Sequence, residues 1–337
     1  MTKVHVKNNR WAAGSFPNTP EGEEVFTITE DRFNTAMALF DDVNGKLSTF
    51  IDWDTDHWDS SMAEAEVLLT WNMPMENLKQ VAPKLKWIHC IGAGVEHMLP
   101  LDWLPDDVVL TNNKGVHAAK AGEFGLMAVL MLHSHIPQLV TNQQKRIYNS
   151  LYAAPIAGKT LVVVGTGSLG GAAAKKVQQL GAHVIGVNRH GKSVDGCDEV
   201  VTTAQLDEVL PRADYLLCAA PDTPETRGLI DRRRLNLMKL TAGVINIGRE
   251  SIMDYDALCD KLEGGSLAAA ILDVFDPEPI AEDSRLWATP NLIITPHVSA
   301  DDGDSYIPIT LDLFFRNMQL FLADKPLLNP IQKSLGY

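Results

Sequence analysis

Residues 161–170 decide the fold and read Leu161-Val-Val-Val-Gly165-Thr-Gly167-Ser-Leu-Gly170. An apolar run leads into three glycines spaced GxGxxG, and the following AAAKKVQQLG has the composition of a helix that ends at Gly181. Glycines at this spacing permit a tight turn, close approach of the backbone to a pyrophosphate, and tight packing of helix on strand. The helix N-terminus would add backbone amides and a positive dipole. Because the motif lies between a strand and a helix, it favours a dinucleotide site over an ordinary glycine turn.

Short apolar runs recur on both sides of this motif, separated by segments of helical length. Continuous apolar strands are typical of a parallel sheet covered on both faces. We therefore predict an α/β protein with a Rossmann-type, doubly wound sheet of six strands, at residues 161–164, 183–187, 215–220, 244–247, 269–274 and 292–295. Strand-like runs at 66–70, 85–91 and 108–111 predict a second, smaller α/β domain before it.

Two helical segments suggest how the chain passes between these domains. Residues 118–139 are predicted to form one long apolar helix, and the polar stretches 141–145 and 148–155 that follow are the expected crossing. Residues 307–322 carry aromatic and aliphatic side chains at helical spacing, which predicts a helix that packs back on the first domain.

Composition narrows the class of protein and its partners. The 337 residues suit two domains, and 43 acidic against 29 basic residues give a net charge of −14. An acidic chain without a basic run predicts no nucleic-acid partner. The four scattered cysteines form no metal-ligand pattern, and no apolar stretch is long enough to span a membrane. We expect a cytoplasmic protein without a metal or membrane partner.

The end of the second predicted strand bears on the choice of cofactor. NAD-specific folds place a carboxylate there for the ribose hydroxyls, whereas residues 188–193 of this chain read NRHGKS. Arg189 suits a 2′-phosphate through charge-assisted hydrogen bonds. We predict a preference for NADP(H), with NAD(H) as a possible cofactor. Arg189 as a solvated turn residue is the alternative.

Three groups of complementary chemistry follow the ends of predicted strands. Arg249 offers a permanent planar charge for a carboxylate, and His297 offers an acid that titrates near neutrality. Glu278 would orient the imidazole and favour its protonated form. Each alone has an ordinary explanation as a surface, loop or turn residue. Because all three fall on the edge where a dinucleotide binds, they suit the reduction of a 2-keto acid.

Five motifs together resemble the D-isomer-specific 2-hydroxyacid dehydrogenase family, and within it the glyoxylate/hydroxypyruvate reductase-like 2-ketoacid reductases. In family order they read AGKTLVVVGTGSLGG, ADYLLCAAPDTPETRGLI, LMKLTAGVINIGRESIMDYDAL, AAILDVFDPEPI and NLIITPHVSA. The resemblance places the family's catalytic Arg, Glu and His on Arg249, Glu278 and His297. It implies reversible reduction of a small 2-keto acid to the D-2-hydroxy acid.

The resemblance also implies an architecture and a set of contacts. It implies a flavodoxin-like substrate-binding domain of residues 1–117 and 305–337, a dinucleotide-binding domain of residues 118–304, and homodimerisation through the helix at 122–132 and the arm after it. The substrate carboxylate is expected at the backbone of Ala93, Gly94 and Val95, besides Arg249. The expected cofactor contacts are Gly165, Gly167, Ser168, Leu169, Gly170, Asn188, Arg189, Ala220, Pro221, Ile247, Asp273 and His297.

The chain departs from the family pattern at two places. Glu250 stands where the family usually has Gly after the catalytic Arg, and Tyr148 and Tyr152 stand in a stretch where hydroxypyruvate reductases usually have Trp. Two other functions stay open. A formate- or phosphite-type dehydrogenase is disfavoured because formate enzymes have Gln in place of Glu278. A nucleotide-sensing, corepressor-like binding protein would keep the same three residues.

Overall fold

The computed structural model describes residues 1–10 and 24–333. The strands are β1 Thr2–Asn8, β2 Leu47–Trp53, β3 Val67–Thr70, β4 Trp87–Cys90, β5 Val109–Thr111, β6 Thr160–Val164, β7 His183–Asn188, β8 Glu199–Thr202, β9 Tyr215–Cys218, β10 Gly243–Asn246, β11 Ala269–Leu272 and β12 Leu292–Ile294. The α-helices with both ends in the described chain are α1 Glu30–Met37, α2 Trp58–Met62, α3 Leu78–Val81, α4 Ala118–His133, α5 Ile136–Gln144, α6 Ser168–Gln178, α7 Leu206–Val209, α8 Arg232–Leu235, α9 Tyr255–Glu263 and α10 Tyr306–Leu322. Short 3₁₀ helices span Glu96–Met98, Leu101–Trp103, Thr203–Gln205, Leu210–Arg212, Glu250–Ile252 and Arg285–Ala288.

The chain divides into two compact units. Unit 1 comprises Met1–His117 and Asp302–Tyr337, and unit 2 comprises Ala118–Asp301. Residues 11–23 and 334–337 of the predicted first domain lie outside the described residues. That unit 1 binds substrate and unit 2 binds the dinucleotide stays a prediction.

Unit 1 is built on a five-stranded parallel sheet with the order β2-β1-β3-β4-β5. This is the flavodoxin-like order, as expected. One apolar core includes residues of α1 and α10, and a second includes residues of α2 and α3. The sequence predictions missed β1 and β2 because both carry polar residues inside the fold. Lys7 of β1 is 2% exposed, and its Nζ donates to the carbonyl oxygen of Asp56 at 2.9 Å.

Unit 2 contains seven parallel strands in the order β12-β11-β10-β9-β6-β7-β8. The order reverses between β6 and β9, as in a doubly wound dinucleotide-binding sheet. The predicted α/β fold class is therefore confirmed, and all six predicted strands are present. The prediction missed the seventh strand, β8, which lies at the sheet edge and is mostly only half buried.

The single helix predicted over 118–139 is wrong. The chain forms α4 and α5 instead, bent by 63°, with His135 between them in the left-handed region at φ 59°. Pro137 explains the break, because a proline inside a helix would clash with the carbonyl of the residue four positions earlier, here His133. The polar stretch 141–145, predicted as a domain crossing, largely forms the end of α5.

None of the described helices is individually long and apolar enough to span a membrane, and the bent pair α4–α5 qualifies only on combined length and composition.

Candidate active site

The predicted site residues of unit 2 lie after the carboxyl ends of strands in one parallel sheet. The glycine turn follows β6, and Arg249 follows β10. Asp273 follows β11 directly, and His297 follows β12. Because the strands are parallel, these residues share one edge of the sheet, which is where ligands bind in open α/β folds.

The three glycines of the motif have different local roles. Gly165 has φ 90°, and a Cβ there would lie 2.5 Å from the backbone nitrogen of Ala220. A Cβ on Gly170 would overlap the carbonyl oxygen of Gly165, whereas one on Gly167 would meet nothing within 4 Å. Gly165 and Gly170 therefore permit close packing of the strand ends and helix, and Gly167 leaves open space in front of the backbone.

The N-terminus of α6 fits a pyrophosphate at that open space. Gly167 is its N-cap without a side-chain hydrogen bond, and its first turn contains no acidic residue. The first N–H groups of a helix have no partner within it, and no acceptor for those of Ser168 and Leu169 is found among the described residues. Open amides at the positive end of a helix dipole suit an anion.

The turn after β7 is organised by Asn188. Its Oδ1 accepts from the backbone nitrogens of His190 at 3.2 Å and Lys192 at 3.1 Å. Its Nδ2 donates to the carbonyl oxygen of Lys192 at 2.9 Å. Arg189 Nη2 lies 3.3 Å from Glu225 Oε2. The turn thus presents basic side chains, and Glu225 is a carboxylate that the sequence predictions did not pair with Arg189.

Two other expected cofactor contacts follow β9 and β10, on the other side of β6 from this turn. Pro221, after β9, is exposed, and its carbonyl oxygen accepts from Thr226 Oγ1 at 2.6 Å. Ile247, after β10, is 3% exposed and packs in the apolar core. Its side chain therefore serves the core, and a ligand would reach the backbone at this position.

His297 and Glu278, which were predicted to act together, form a hydrogen-bonded ion pair. His297 Nδ1 donates to Glu278 Oε2 at 2.8 Å, and Glu278 Oε1 accepts from the backbone nitrogen of Phe275 at 2.8 Å. Nδ1 is thus the ring nitrogen bonded to the carboxylate, and Nε2 lies on the other side of the imidazole ring. Glu278 is thereby fixed at both oxygens and orients the imidazole.

The pair stabilises the charged form of each partner. Burial acts to lower the pKa of His297, but the hydrogen bond and charge of Glu278 outweigh it, so this pKa is raised above its ordinary value. Burial acts to raise the pKa of Glu278, and His297 outweighs that effect, so this pKa is lowered. The imidazole is therefore protonated to higher pH than a free histidine.

Asp273 holds the loop that carries His297. Its side chain is completely buried, and Oδ1 accepts from Thr295 Oγ1 at 2.5 Å and from the backbone nitrogen of Val298 at 3.0 Å. Oδ2 accepts from the backbone nitrogen of Ser299 at 2.9 Å. Asp273 was expected to contact the cofactor, and that contact stays a prediction. In the structure its carboxylate instead fixes the backbone around His297.

Arg249 lies on a turn built by two residues that the sequence predictions missed. Buried Asn246 accepts from the backbone nitrogen of Gly248 at 3.0 Å and donates to the carbonyl oxygen of Arg249 at 2.9 Å. Asn246 also donates to Tyr255 Oη at 3.0 Å. The charge of Arg249 acts on the pKa of both Glu278 and His297. Arg249 is therefore close enough for its charge to act on both members of the pair.

In unit 1, the loop around residues 93–95, which was predicted to bind the substrate carboxylate, follows β4. Side-chain hydrogen bonds to its carbonyl oxygens hold it in place. Asn112 Nδ2 donates to the carbonyl oxygen of Ala93 at 2.5 Å. Tyr306 Oη donates to that of Ile91 at 2.8 Å, and Asn113 Nδ2 donates to the same oxygen. Within the described chain, the backbone N–H groups of residues 93–95 have no acceptor. The loop thus offers three consecutive amides that suit an anion.

The described residues contain no group of three or more His, Cys, Asp or Glu side chains placed to hold a metal ion.

This chain is similar to known dehydrogenases and reductases. A sequence model of the D-isomer specific 2-hydroxyacid dehydrogenase NAD binding domain matches residues 126–299. Glyoxylate/hydroxypyruvate reductase A of Serratia proteamaculans is 30% identical over 242 residues, covering 70% of this chain and 77% of the relative. D-3-phosphoglycerate dehydrogenase of Mycobacterium bovis is 29% identical over 277 residues, covering 81% of this chain and 52% of the relative. The chain thus spans about half the length of that relative.

A solved structure extends the likeness to the entire chain. The D-isomer specific 2-hydroxyacid dehydrogenase of Xanthobacter autotrophicus, crystallised with NADPH and MES, has a TM-score of 0.81 and 26% sequence identity, and the match covers 100% of this chain and 99% of that one. The family sequence model alone covers more than half of this chain. The chain belongs to the D-isomer specific 2-hydroxyacid dehydrogenase family.

Proposed function

We propose that this protein reduces a small 2-keto acid to the D-2-hydroxy acid with NADPH, in a reversible reaction. The observation that carries the proposal is the ion pair of His297 and Glu278, held beside Arg249 at the sheet edge that also carries the glycine turn. An acid, its orienting carboxylate and a fixed cation are the groups that this chemistry needs.

Arg249 binds the substrate carboxylate and polarises the carbonyl. Its guanidinium is permanently charged and planar, so it presents two parallel donors to a carboxylate. The backbone amides of Ala93, Gly94 and Val95 are further proposed donors to a substrate carboxylate. Holding the carboxylate fixes the direction of the neighbouring carbonyl, which orients the substrate for reaction.

His297 controls the proton in this mechanism. The reduced nicotinamide, when bound, supplies the hydride. Protonated His297 donates from Nε2 to the carbonyl oxygen as negative charge develops there, and Glu278 keeps Nδ1 occupied throughout. In the reverse direction neutral His297 removes the hydroxyl proton of the 2-hydroxy acid. The raised pKa of His297 favours the acid form needed for reduction.

The cofactor preference rests on the turn after β7. Arg189 supplies a charge-assisted bond to the 2′-phosphate, and the turn itself contains no carboxylate to repel it. The Xanthobacter relative was crystallised with NADPH, which supports the same choice. We propose NADP(H) as the preferred cofactor and NAD(H) as an accepted one, with Gly165, Gly167 and Gly170 forming the pyrophosphate cradle.

Assembly and compartment complete the proposal. Helix α4 carries an apolar groove of about 490 Å³ lined by Leu126, Met127, Leu130 and Met131, among others, which suits pairing of two copies of this chain. All four cysteines are free, as expected in the reducing cytoplasm. We therefore propose a cytoplasmic homodimer.

The test is turnover of glyoxylate, hydroxypyruvate, pyruvate and phenylpyruvate with NADPH and with NADH. The product is assayed for D or L configuration. We expect NADPH-linked reduction of at least one of these acids to the D product. Absence of turnover with every acid and both cofactors would overturn the proposal and favour a binding role.

A substitution links that activity to the proposed acid. His297→Asn should cut kcat by roughly 10² or more, since a positioned proton donor contributes about this much. NADPH affinity, measured by fluorescence titration, should stay within about twofold because the glycine cradle is unchanged. Near-normal turnover in this variant would remove His297 from the mechanism.

A further inference from the structure

Glu250 lies next to the expected substrate site without being part of the family's usual set. It follows Arg249 directly and begins the 3₁₀ helix Glu250–Ile252. Its side chain lines a cavity of about 320 Å³ together with Phe275, Asp276 and Pro277. Those three residues form the loop that leads to Glu278. The rest of the cavity is lined by residues within 253–259 and 280–286. Glu250 thus adjoins Arg249 in the chain and faces the loop that leads to Glu278.

The carboxylates around this site differ in whether a charged or hydrogen-bonding side chain pairs with them. Asp222 accepts two hydrogen bonds from Arg227, at 2.8 and 3.0 Å. Glu278 is paired with His297. In contrast, within the described chain neither Glu250 nor Asp276 has a side-chain hydrogen bond or an ion pair. The site therefore carries uncompensated negative charge beside Arg249.

This charge is partly shielded from water. Glu250 is half-buried, whereas Asp276 is exposed. Burial and the charges of Asp276 and Asp222 raise the pKa of Glu250 above its ordinary value, so these carboxylates are close enough to repel one another. Screening by salt is weaker for partly buried charges than for exposed ones. An anionic group brought to this place would meet the same repulsion.

We propose that Glu250 makes the enzyme select 2-keto acids whose only negative charge is the carboxylate held by Arg249. A second carboxylate or a phosphate on a short substrate lies within about 8 Å, one Debye length, of the first. Because Glu250 directly follows Arg249 in the chain, it repels such a second charge, whereas a neutral side chain experiences no charge repulsion. The inference rests on the proposed function and defines its substrate class. The family's usual Gly at this position lacks such a charge.

The test compares two acids of equal chain length, 2-ketovalerate and 2-ketoglutarate, which differ by a terminal carboxylate. The measured quantity is the ratio of kcat/KM for 2-ketoglutarate to that for 2-ketovalerate. Glu250→Gln should raise this ratio roughly fivefold or more, because it removes one like charge at close range. The kcat/KM for 2-ketovalerate should change less than about twofold. Added salt should raise the wild-type ratio more than that of the variant.

Two further variants make the result specific. Glu208→Gln removes the same charge from an exposed position on α7 and should leave the ratio unchanged. Glu250→Gly should raise the ratio as Glu250→Gln does, and circular dichroism checks that both are folded. Where turnover of 2-ketoglutarate is too slow to measure, its inhibition constant against 2-ketovalerate gives the same comparison.

The outcomes separate this inference from the function on which it rests. If Glu250→Gln and Glu250→Gly change both substrates by the same factor, Glu250 does not select charge, and the reductase function stands. If the wild-type protein reduces no 2-keto acid with either cofactor, the proposed function is wrong, and the inference about substrate selectivity is wrong as well.

Discussion

The hydrogen bond between His297 and Glu278 makes Glu278 the main group that favours the protonated imidazole, with a smaller contribution from the charge of Asp273. Glu278 raises the pKa of His297 through the hydrogen bond and its charge, against the opposing effects of burial and Arg249. In the proposed mechanism, reduction needs the protonated imidazole. The reduction rate should therefore be high below the pKa of His297 and fall as the pH rises through it.

Glu278→Gln tests this dependence. The amide keeps the shape of the side chain but removes the charge that supports the imidazolium, while the burial that lowers the pKa of His297 remains. The alkaline limb of kcat/KM for reduction should move down by about one pH unit or more. A pH profile between pH 5 and 9 measures the shift. An unchanged limb would show that another group controls the proton.

The sequence could indicate Arg249, Glu278 and His297 because chemistry-bearing residues after strand ends must share a sheet edge. It could not indicate Asn246, whose function is to hydrogen bond to the turn around Arg249. Its one signal is a polar residue at the end of an otherwise apolar strand. The sequence could not predict the ion pair of Arg189 and Glu225 either, because the two residues lie in loops after different strands.

Among the elements, the turn after β7 is expected to distinguish the two nicotinamide cofactors. Asn188 fixes its backbone, so Arg189 extends from a defined position rather than from a mobile loop. Its present neighbour, Glu225, comes from the segment after β9. A 2′-phosphate would therefore compete with Glu225 for the guanidinium.

Arg189→Ala should weaken NADPH binding about tenfold or more, since charge-assisted hydrogen bonds are lost. NADH affinity should change little, because NADH lacks the phosphate. Calorimetric Kd values for both cofactors measure the difference. Arg212→Ala is the matched control, because Arg212 pairs with Glu199 on another part of unit 2. Equal losses for NADPH and NADH would show that Arg189 does not bind the phosphate.

The elements that the sequence did not predict share a physical cause. β1 alternates apolar residues with His5 and Lys7, and these polar residues are buried through tertiary contacts that no local pattern reports. In the segment 118–139 the opposite error arose. Continuous hydrophobicity suggested one helix, although Pro137 marks the break between α4 and α5.

For the whole molecule, the groove on α4 bears on assembly. Its apolar lining includes Met127, which is 44% exposed. An exposed apolar groove favours burial against another surface. If two copies of the chain pair through this same face, the apolar groove of each copy becomes buried.

Met127→Lys should shift the protein from dimer to monomer, because a buried unpaired ammonium is costly at an apolar interface. Sedimentation equilibrium over a range of concentrations measures the change. Leu180→Lys introduces the same charge at a position that is 40% exposed outside the groove, and it should leave assembly unchanged. A wild-type protein that is monomeric at all concentrations would contradict the proposed dimer.

The main-chain conformation of His297 limits which side chains can replace it. With φ 55°, the position lies in a region that β-branched residues rarely occupy and that Asn tolerates well. With valine or threonine at this position, a loss of activity caused by misfolding could not be separated from a loss of proton transfer. Asparagine keeps the bend of the chain while lacking an ionisable ring, so the fall in turnover expected of that variant would report loss of the imidazole rather than misfolding.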